Sequence, residues 1–100
     1  MRKITRDIVK AFINGETRTI GNSSCNSTSL LLHNNKIAWR EKDGTIKACL
    51  CGWGTPTTRE RLNGLCVELG VVGVFSQKDH GQHFNGHSIG TLDVVTLRSA

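Results

Sequence analysis

Apolar residues recur at helical spacing in the middle of the chain, between Gly52 and Gly70. The apolar positions, three and four residues apart, are Leu62, Leu65, Cys66 and Leu69. This spacing predicts a helix over about 58–69 whose apolar face packs on a sheet. Thr57 followed by Glu60 forms the pattern of a capping box at the start of this helix. Gly70 suits the left-handed position that follows a helix end.

A shorter amphipathic pattern opens the chain. Ile8 and Phe12 are four residues apart, which places them on one helical face. Thr5 is expected to cap the start of this helix, and Gly15 to follow its last turn. The sequence therefore predicts a helix of about two turns, which is stable only when it packs on other elements.

The region between these two helices contains short runs typical of strands. The stretch 21–29, GNSSCNSTS, is rich in turn-forming polar residues and is expected to be an exposed loop or wide turn. Asn34 and Asn35 suit a two-residue hairpin turn, and residues 42–44 mark a second turn. The sequence thus predicts a three- or four-stranded antiparallel meander, with strands at 30–33, 36–40 and 45–51 and a candidate strand at 16–20.

Alternation assigns side chains to the two faces of these strands. It places Ile37 and Trp39 on one face. It places Ala38 and Arg40 on the other. In the next strand, the residues predicted to face the core are Ile46, Ala48 and Leu50.

The C-terminal part of the chain adds further strands. Residues 71–75 are β-branched and aromatic and predict a strand, whereas the glycine- and histidine-rich stretch 77–90 is expected to be irregular. Residues 91–97 predict the last strand. The fold class that follows is α+β, with one antiparallel sheet of about four to six strands in a single small domain, 1–100. The N-terminal helix and the helix at about 58–69 would cover one side of that sheet.

The composition indicates the compartment. No apolar run is long enough for a signal peptide or a membrane span, so we expect a cytoplasmic protein with no membrane partner. In that compartment the cysteines are expected to be reduced thiols rather than a disulfide framework. They are Cys25, Cys49, Cys51 and Cys66.

The charge is unevenly distributed along the chain. The net charge is +5, and residues 1–50 carry nine Lys and Arg against four Asp and Glu, while residues 51–100 carry four against four. A basic half favours nucleic acid or an acidic protein surface as partner, although +5 is also an ordinary solubility charge.

Three histidines form a weak candidate for a metal site. His80, His83 and His87 have a spacing that resembles the ligands of one divalent ion. Gly81 and Gly86 interrupt the segment and no CxxC accompanies it, so we predict no metal ligands and keep this loop as an alternative. A chain of this size also leaves no room for a cofactor-sized interior cavity, so no cofactor is expected.

Catalysis has no clear signal either. A cysteine could meet His33 or His83 in space, but nothing marks one cysteine as activated and no oxyanion-type glycine loop lies beside one. We therefore expect that the protein is not an enzyme.

Partner binding is the remaining class of site. Trp53 lies between two glycines in a predicted loop and is the candidate for an exposed tryptophan, with a place in the core as the alternative. Arg59 and Arg61 stand in the first turn of the second helix, and Arg40 and Lys42 lie at a hairpin. Tryptophan and arginine are enriched at interface hot spots, so these five residues are the predicted partner-binding set. Substituting Arg59 and Arg61 together is expected to weaken binding and leave the fold intact.

Three segments carry a resemblance to a known family. They are SLLLHNNKIAWR at 29–40, GWGTPTTRERLNGL at 52–65 and FSQKDHGQHFNG at 75–86. Together they resemble a family of small bacteriophage accessory proteins. The resemblance implies a phage protein that acts in the cytosol of the host cell, with no catalytic residues to carry over.

The function expected from this context is a non-enzymatic inhibitor that binds a host protein complex by steric blockade. A defence system such as CRISPR–Cas, and hence Cas proteins, is the expected target. One alternative is a small basic nucleic-acid-binding protein, and a second is a metal-binding protein built on the histidine loop. Exposed sheet edges leave a homodimer open.

Overall fold

The computed structural model describes residues 2–97 and confirms the α+β class. Within that range it contains two helices, α1 (Lys3–Ile13) and α2 (Pro56–Leu69). The strands are β1 (Arg18–Ile20), β2 (Ser23–Cys25), β3 (Ser29–Leu32), β4 (Asn35–Arg40), β5 (Ile46–Ala48), β6 (Phe75–Lys78), β7 (Gly81–Phe84), β8 (His87–Ile89) and β9 (Val95–Leu97).

These strands form two antiparallel sheets rather than the single sheet predicted. The larger sheet has six strands in the order β1-β2-β3-β4-β5-β9, so its first five strands follow chain order. The smaller sheet has three strands in the order β6-β7-β8. The predicted last strand at 91–97 is shorter, at Val95–Leu97, and pairs with β5.

The prediction of an exposed loop at 21–29 is wrong, because this stretch contains β2. Ser23 and Cys25 are 1% and 3% exposed, and both point into the core. Pairing with β1 and β3 on both sides satisfies the backbone of a segment whose composition suggests a turn. The Ser23 hydroxyl accepts a hydrogen bond from Arg61 at 3.0 Å, which makes a serine acceptable in the interior.

The β3–β4 hairpin differs from its prediction in two details. Its turn is formed by His33 and Asn34, both at positive φ, one residue earlier than predicted. The register also shifts between Leu30 and Leu31, so β4 carries one extra residue there. This bulge interrupts the alternation, and Ile37 and Ala38 are consequently both buried.

Helix α1 begins at Lys3 and has 11 residues, so it is longer than the predicted two turns. Arg2 occupies the cap position and makes no side-chain cap hydrogen bond. The prediction of Thr5 as the cap is wrong. Thr5 lies inside the helix, fully buried, and its hydroxyl donates to the Glu60 carboxylate and accepts from Arg61.

Helix α2 begins two residues earlier than predicted, with Pro56 as its first residue. The cap is Thr55, whose hydroxyl accepts from the backbone N–H of Thr58 at 3.2 Å. The capping box of Thr57 and Glu60 is therefore wrong. Proline at the first helical position has no N–H to satisfy, so the cap shifts to the residue before it.

The apolar face and the end of α2 follow the prediction. Gly70 takes the left-handed conformation with φ 70°, and its N–H bonds back to the last turn. The residues of the apolar stripe that are fully buried are Leu62, Leu65 and Cys66. They pack with α1 and the larger sheet in one core.

The smaller sheet replaces the irregular segment predicted at 77–90. Two-residue turns with positive φ join its strands, the first at Asp79 and His80 and the second at Asn85 and Gly86. Asparagine, aspartate, histidine and glycine are the residues that tolerate this conformation, so the composition that suggested irregular backbone belongs to tight hairpin turns.

Two side chains of α2 hold the smaller sheet in place. The Asn63 amide accepts from the N–H of Phe75 at 2.6 Å and donates to its carbonyl at 3.0 Å. Phe75 in turn packs on Phe84, with ring centroids 4.7 Å apart. Arg59 donates to Gln77 and Gln82 at 3.0 and 3.1 Å. The predicted strand at 71–75 thus starts only where this docking begins, at Phe75.

No helix within residues 2–97 has the length and apolar character needed to cross a membrane.

Candidate partner-binding site

A cavity of about 290 Å³ lies where the β3–β4 hairpin meets the start of α2. Apolar side chains from the two strands and polar side chains from the hairpin turn and the helix start form its walls. The lining residues are Leu32, His33, Asn35, Ile37, Trp53, Thr55, Thr57 and Thr58. Such a mixture of apolar walls and a few polar groups is typical of binding pockets.

Trp53 forms one wall of this cavity and is 56% exposed, so of the two alternatives that the sequence left open the structure shows the exposed one. Its backbone is fixed although its side chain is exposed. The N–H of Trp53 donates to the carbonyl of Leu50 at 2.9 Å, and the N–H of Gly52 donates to the carbonyl of Thr91 at 2.9 Å. Cys51 and Gly52 both have positive φ, which turns the loop back on itself. The indole is thus presented from a braced loop.

The polar groups around the cavity differ in their hydrogen bonding. Thr55 and Thr58 share a hydrogen bond of 2.9 Å between their hydroxyls as part of the helix cap. The His33 ring lies 3.3 Å from the Asn22 amide nitrogen. Within residues 2–97 the Thr57 hydroxyl makes no hydrogen bond, so it can be replaced without breaking the cap.

Arg61 was predicted at the partner-binding surface, but the structure places it in the interior. Its side chain is 2% exposed and donates to Ser23 and Thr5, at 3.0 and 2.6 Å, and to Glu60. Burial lowers the pKa of the Arg61 guanidinium, and the adjacent Glu60 carboxylate opposes that shift. Arg61 therefore joins α1, α2 and β2, and we expect its substitution to destabilise the fold rather than leave it intact.

Arg59 and Arg40 are also engaged in intramolecular contacts. Arg59 donates to the carbonyl of Gly54 at 2.8 Å, in addition to its bonds to the smaller sheet. Arg40 donates to the carbonyls of Phe12 and Ile13 at 3.2 and 3.3 Å, at the end of α1. A cation near helix C-terminal carbonyls is stabilising, so Arg40 serves as a cap there.

Lys42 is exposed in the turn after β4, as its predicted role requires. It does not line the cavity. Of the five residues that the sequence assigned to partner binding, only Trp53 does so.

The histidine loop does not assemble as a metal site. In the smaller sheet His83 pairs with Ser88, whereas His87 pairs with the next residue, Phe84. Adjacent residues of a strand face opposite sides, so the His83 and His87 rings point away from each other. No group of three metal-ligating side chains comes together among the described residues.

The four cysteines are free thiols. Burial raises the pKa of Cys25, and it raises the pKa of Cys66, which lies in the core stripe of α2, to about 11. Since the thiolate is the reactive form, neither thiol is activated as a nucleophile.

The raised pKa of Cys66 predicts a loss of stability at alkaline pH. In the unfolded chain the thiol ionises near its usual 9.0, while the native thiol stays protonated to about 11. The unfolded state therefore releases its proton first, and stability falls as pH rises through this window. The expected loss from this group is roughly 1 kcal/mol by about pH 10. Urea unfolding from neutral to alkaline pH should show that the free energy of unfolding falls less for Cys66→Ala than for the wild type. If the free energy of unfolding falls equally in both proteins, the alkaline loss of stability does not come from Cys66.

Sequence reasoning missed most of the cavity. Leu32 and Ile37 were assigned only to predicted strands, and Thr57 was assigned to a capping box. The segment around His33 and the start of α2 are more than 20 residues apart in the chain, and only the fold brings them together. A hairpin turn followed by a helix start with several threonines is too common a pattern to have indicated the site.

The comparisons with known proteins returned one finding. A family model described as Kyanoviridae Gp96 protein matches residues 1–95. Neither the curated proteins nor the solved structures contain a match to this chain.

Proposed function

The chain belongs to the Kyanoviridae Gp96 protein family, a bacteriophage family, and from that premise we propose that it is a non-enzymatic inhibitor of a host protein complex. The cavity beside Trp53 would take a side chain of the target. Binding at this point would block the target's own partner site by steric occlusion.

The observation that carries the proposal is the exposed indole beside an apolar-walled cavity. A tryptophan that is 56% exposed on a braced loop offers a large rigid contact surface at little further cost in conformational entropy. The cavity volume of about 290 Å³ is at the lower limit of ligand pockets. It suits one large apolar or aromatic side chain better than a cofactor.

Phage membership and charge support the choice of target. A phage protein meets host macromolecules in the infected cell, and a defence complex such as a CRISPR–Cas assembly is a target whose blockade favours the phage. The net charge of +5 would speed association with an acidic surface of that complex. In this proposal the protein acts in the host cytosol.

The test is capture of host proteins by the tagged full chain after nuclease treatment. Thr57→Tyr is expected to abolish capture, because the added ring occupies the cavity while the helix cap stays intact. Val72→Tyr introduces the same side chain at a position that is 74% exposed and outside the cavity, and it should capture as wild type does.

Inhibition is tested on the captured complex itself. Adding the wild-type protein should displace the natural partner or nucleic acid of that complex, and adding Thr57→Tyr should not. If nuclease removes every captured partner, or if both tyrosine variants capture equally, the proposal fails.

A further inference from the structure

Helix α1 presents a row of cations on its exposed face. Lys3, Arg6 and Lys10 are all exposed, and their spacing of three and four residues places them on one side of the helix. Arg2, immediately before the helix, is exposed as well. The opposite face is the apolar one that packs in the core.

These cations differ in their contacts from three arginines elsewhere in the chain. Within residues 2–97 the side chains of Arg2, Arg6 and Lys10 make no hydrogen bond or ion pair, and Lys3 has one long contact, at 3.9 Å, to Asp7. Each of those three arginines, by contrast, donates several intramolecular hydrogen bonds. Those arginines are Arg40, Arg59 and Arg61. The exposed face of α1 and the residue before it therefore carry four cations whose charge is largely available to a partner.

Little negative charge lies on or near this face. Asp7 is half-buried and is the only carboxylate within the helix, and Glu16 follows the helix end. Glu60, which reaches α1 from α2, is bound to Thr5 and Arg61. The local balance remains positive.

We infer that the exposed face of α1 binds the phosphate backbone of nucleic acid. Lys3 and Lys10 are separated by seven residues, or about 10 Å of helix axis. Duplex DNA carries one negative charge per about 1.7 Å of its axis, so each of the three cations in this row can find a backbone phosphate. The contact is to the backbone and carries no base specificity.

A lipid surface fits this face less well. Helices that bind membranes insert an apolar face at the interface, whereas here Ile8, Val9 and Phe12 are fully buried in the core. The surface is also separate from the proposed protein-binding site, because none of its cations lines the Trp53 cavity. The inference consequently goes beyond the proposed function and does not depend on it.

The test is binding of a short labelled DNA duplex, measured by fluorescence anisotropy at several salt concentrations. The variant Lys3→Gln, Arg6→Gln, Lys10→Gln has its net charge reduced from +5 to +2. It should bind at least about tenfold more weakly at low salt, and the slope of log affinity against log salt should fall by about 2–3. Circular dichroism confirms that both proteins are folded.

The matched control carries the same net charge at other positions. Lys36→Gln, Lys42→Gln, Lys78→Gln also gives +2, from three exposed lysines outside α1, and it should keep most of the wild-type affinity. The inference is overturned if the two variants lose affinity equally, or if the wild type does not bind the duplex at low salt. It is also overturned if polyglutamate displaces the labelled duplex as effectively as unlabelled duplex does.

Discussion

Replacing Arg61 with alanine is expected to lower the free energy of unfolding by about 3–5 kcal/mol. The guanidinium is 2% exposed and donates to Ser23, Thr5 and Glu60, so its removal leaves three polar groups without their donor in or near the core. A domain of this size has a total stability of about 5–15 kcal/mol. Chemical denaturation should therefore show a large shift of the unfolding midpoint to lower denaturant.

Two further variants define this effect. Arg59→Ala removes a half-buried arginine of the same helix turn and should cost less, about 1.5–3 kcal/mol, because its partners stay closer to solvent. Arg61→Lys should recover little, because an ammonium lacks the planar fork that reaches several acceptors at once. If the free energy of unfolding of Arg61→Ala lies within about 1 kcal/mol of the wild-type value, the hydrogen bonds of Arg61 are not a main support of the fold.

Replacing Trp53 with alanine is expected to weaken binding to the captured host complex by at least about 2 kcal/mol, or roughly thirtyfold in Kd. The indole is the largest exposed side chain at the cavity, and its removal also opens the cavity wall to water. Stability should hardly change, since 56% of the side chain is already exposed. Calorimetric titration of the purified partner measures the affinity, and thermal unfolding measures the stability.

Leu92→Ala is the matched control for Trp53. Leu92 is 74% exposed and lies beside the same loop, near Gly52, but it does not line the cavity. Its loss should leave the affinity within a few-fold of wild type. Equal weakening by both variants would indicate a general apolar surface, and unchanged affinity in Trp53→Ala would remove the cavity from the interface.

Local sequence patterns correctly predicted the features that depend on residues within the same helix or strand. The stripe of α2 and its glycine stop follow from spacing and from the left-handed conformation at Gly70, both of which act within one or two turns. The alternation of Ile46, Ala48 and Leu50 likewise gave the core face of β5 and the residues after it.

Predictions failed where a polar residue has its partner far away in the chain. Thr5 suits a helix cap by its type, yet its hydroxyl contacts residues 55 and 56 positions later. Glu60 suits a capping box, yet its carboxylate turns to Thr5 and Arg61. A hydroxyl or carboxylate can satisfy its hydrogen bonds locally or at long range, and the local pattern is the same in both cases.

The sequence by itself determined the α+β class, the core stripe and end of α2 and the net positive charge, whereas it left the exposure of Trp53 open. The tertiary structure alone decided which cations are available, because burial of Arg61 and the contacts of Arg59 and Arg40 depend on segments that meet only in the fold. It also decided that the β3–β4 hairpin and the start of α2 enclose a cavity. Periodicity reports which face of an element is apolar, whereas the neighbours of that face are set by packing across the whole chain.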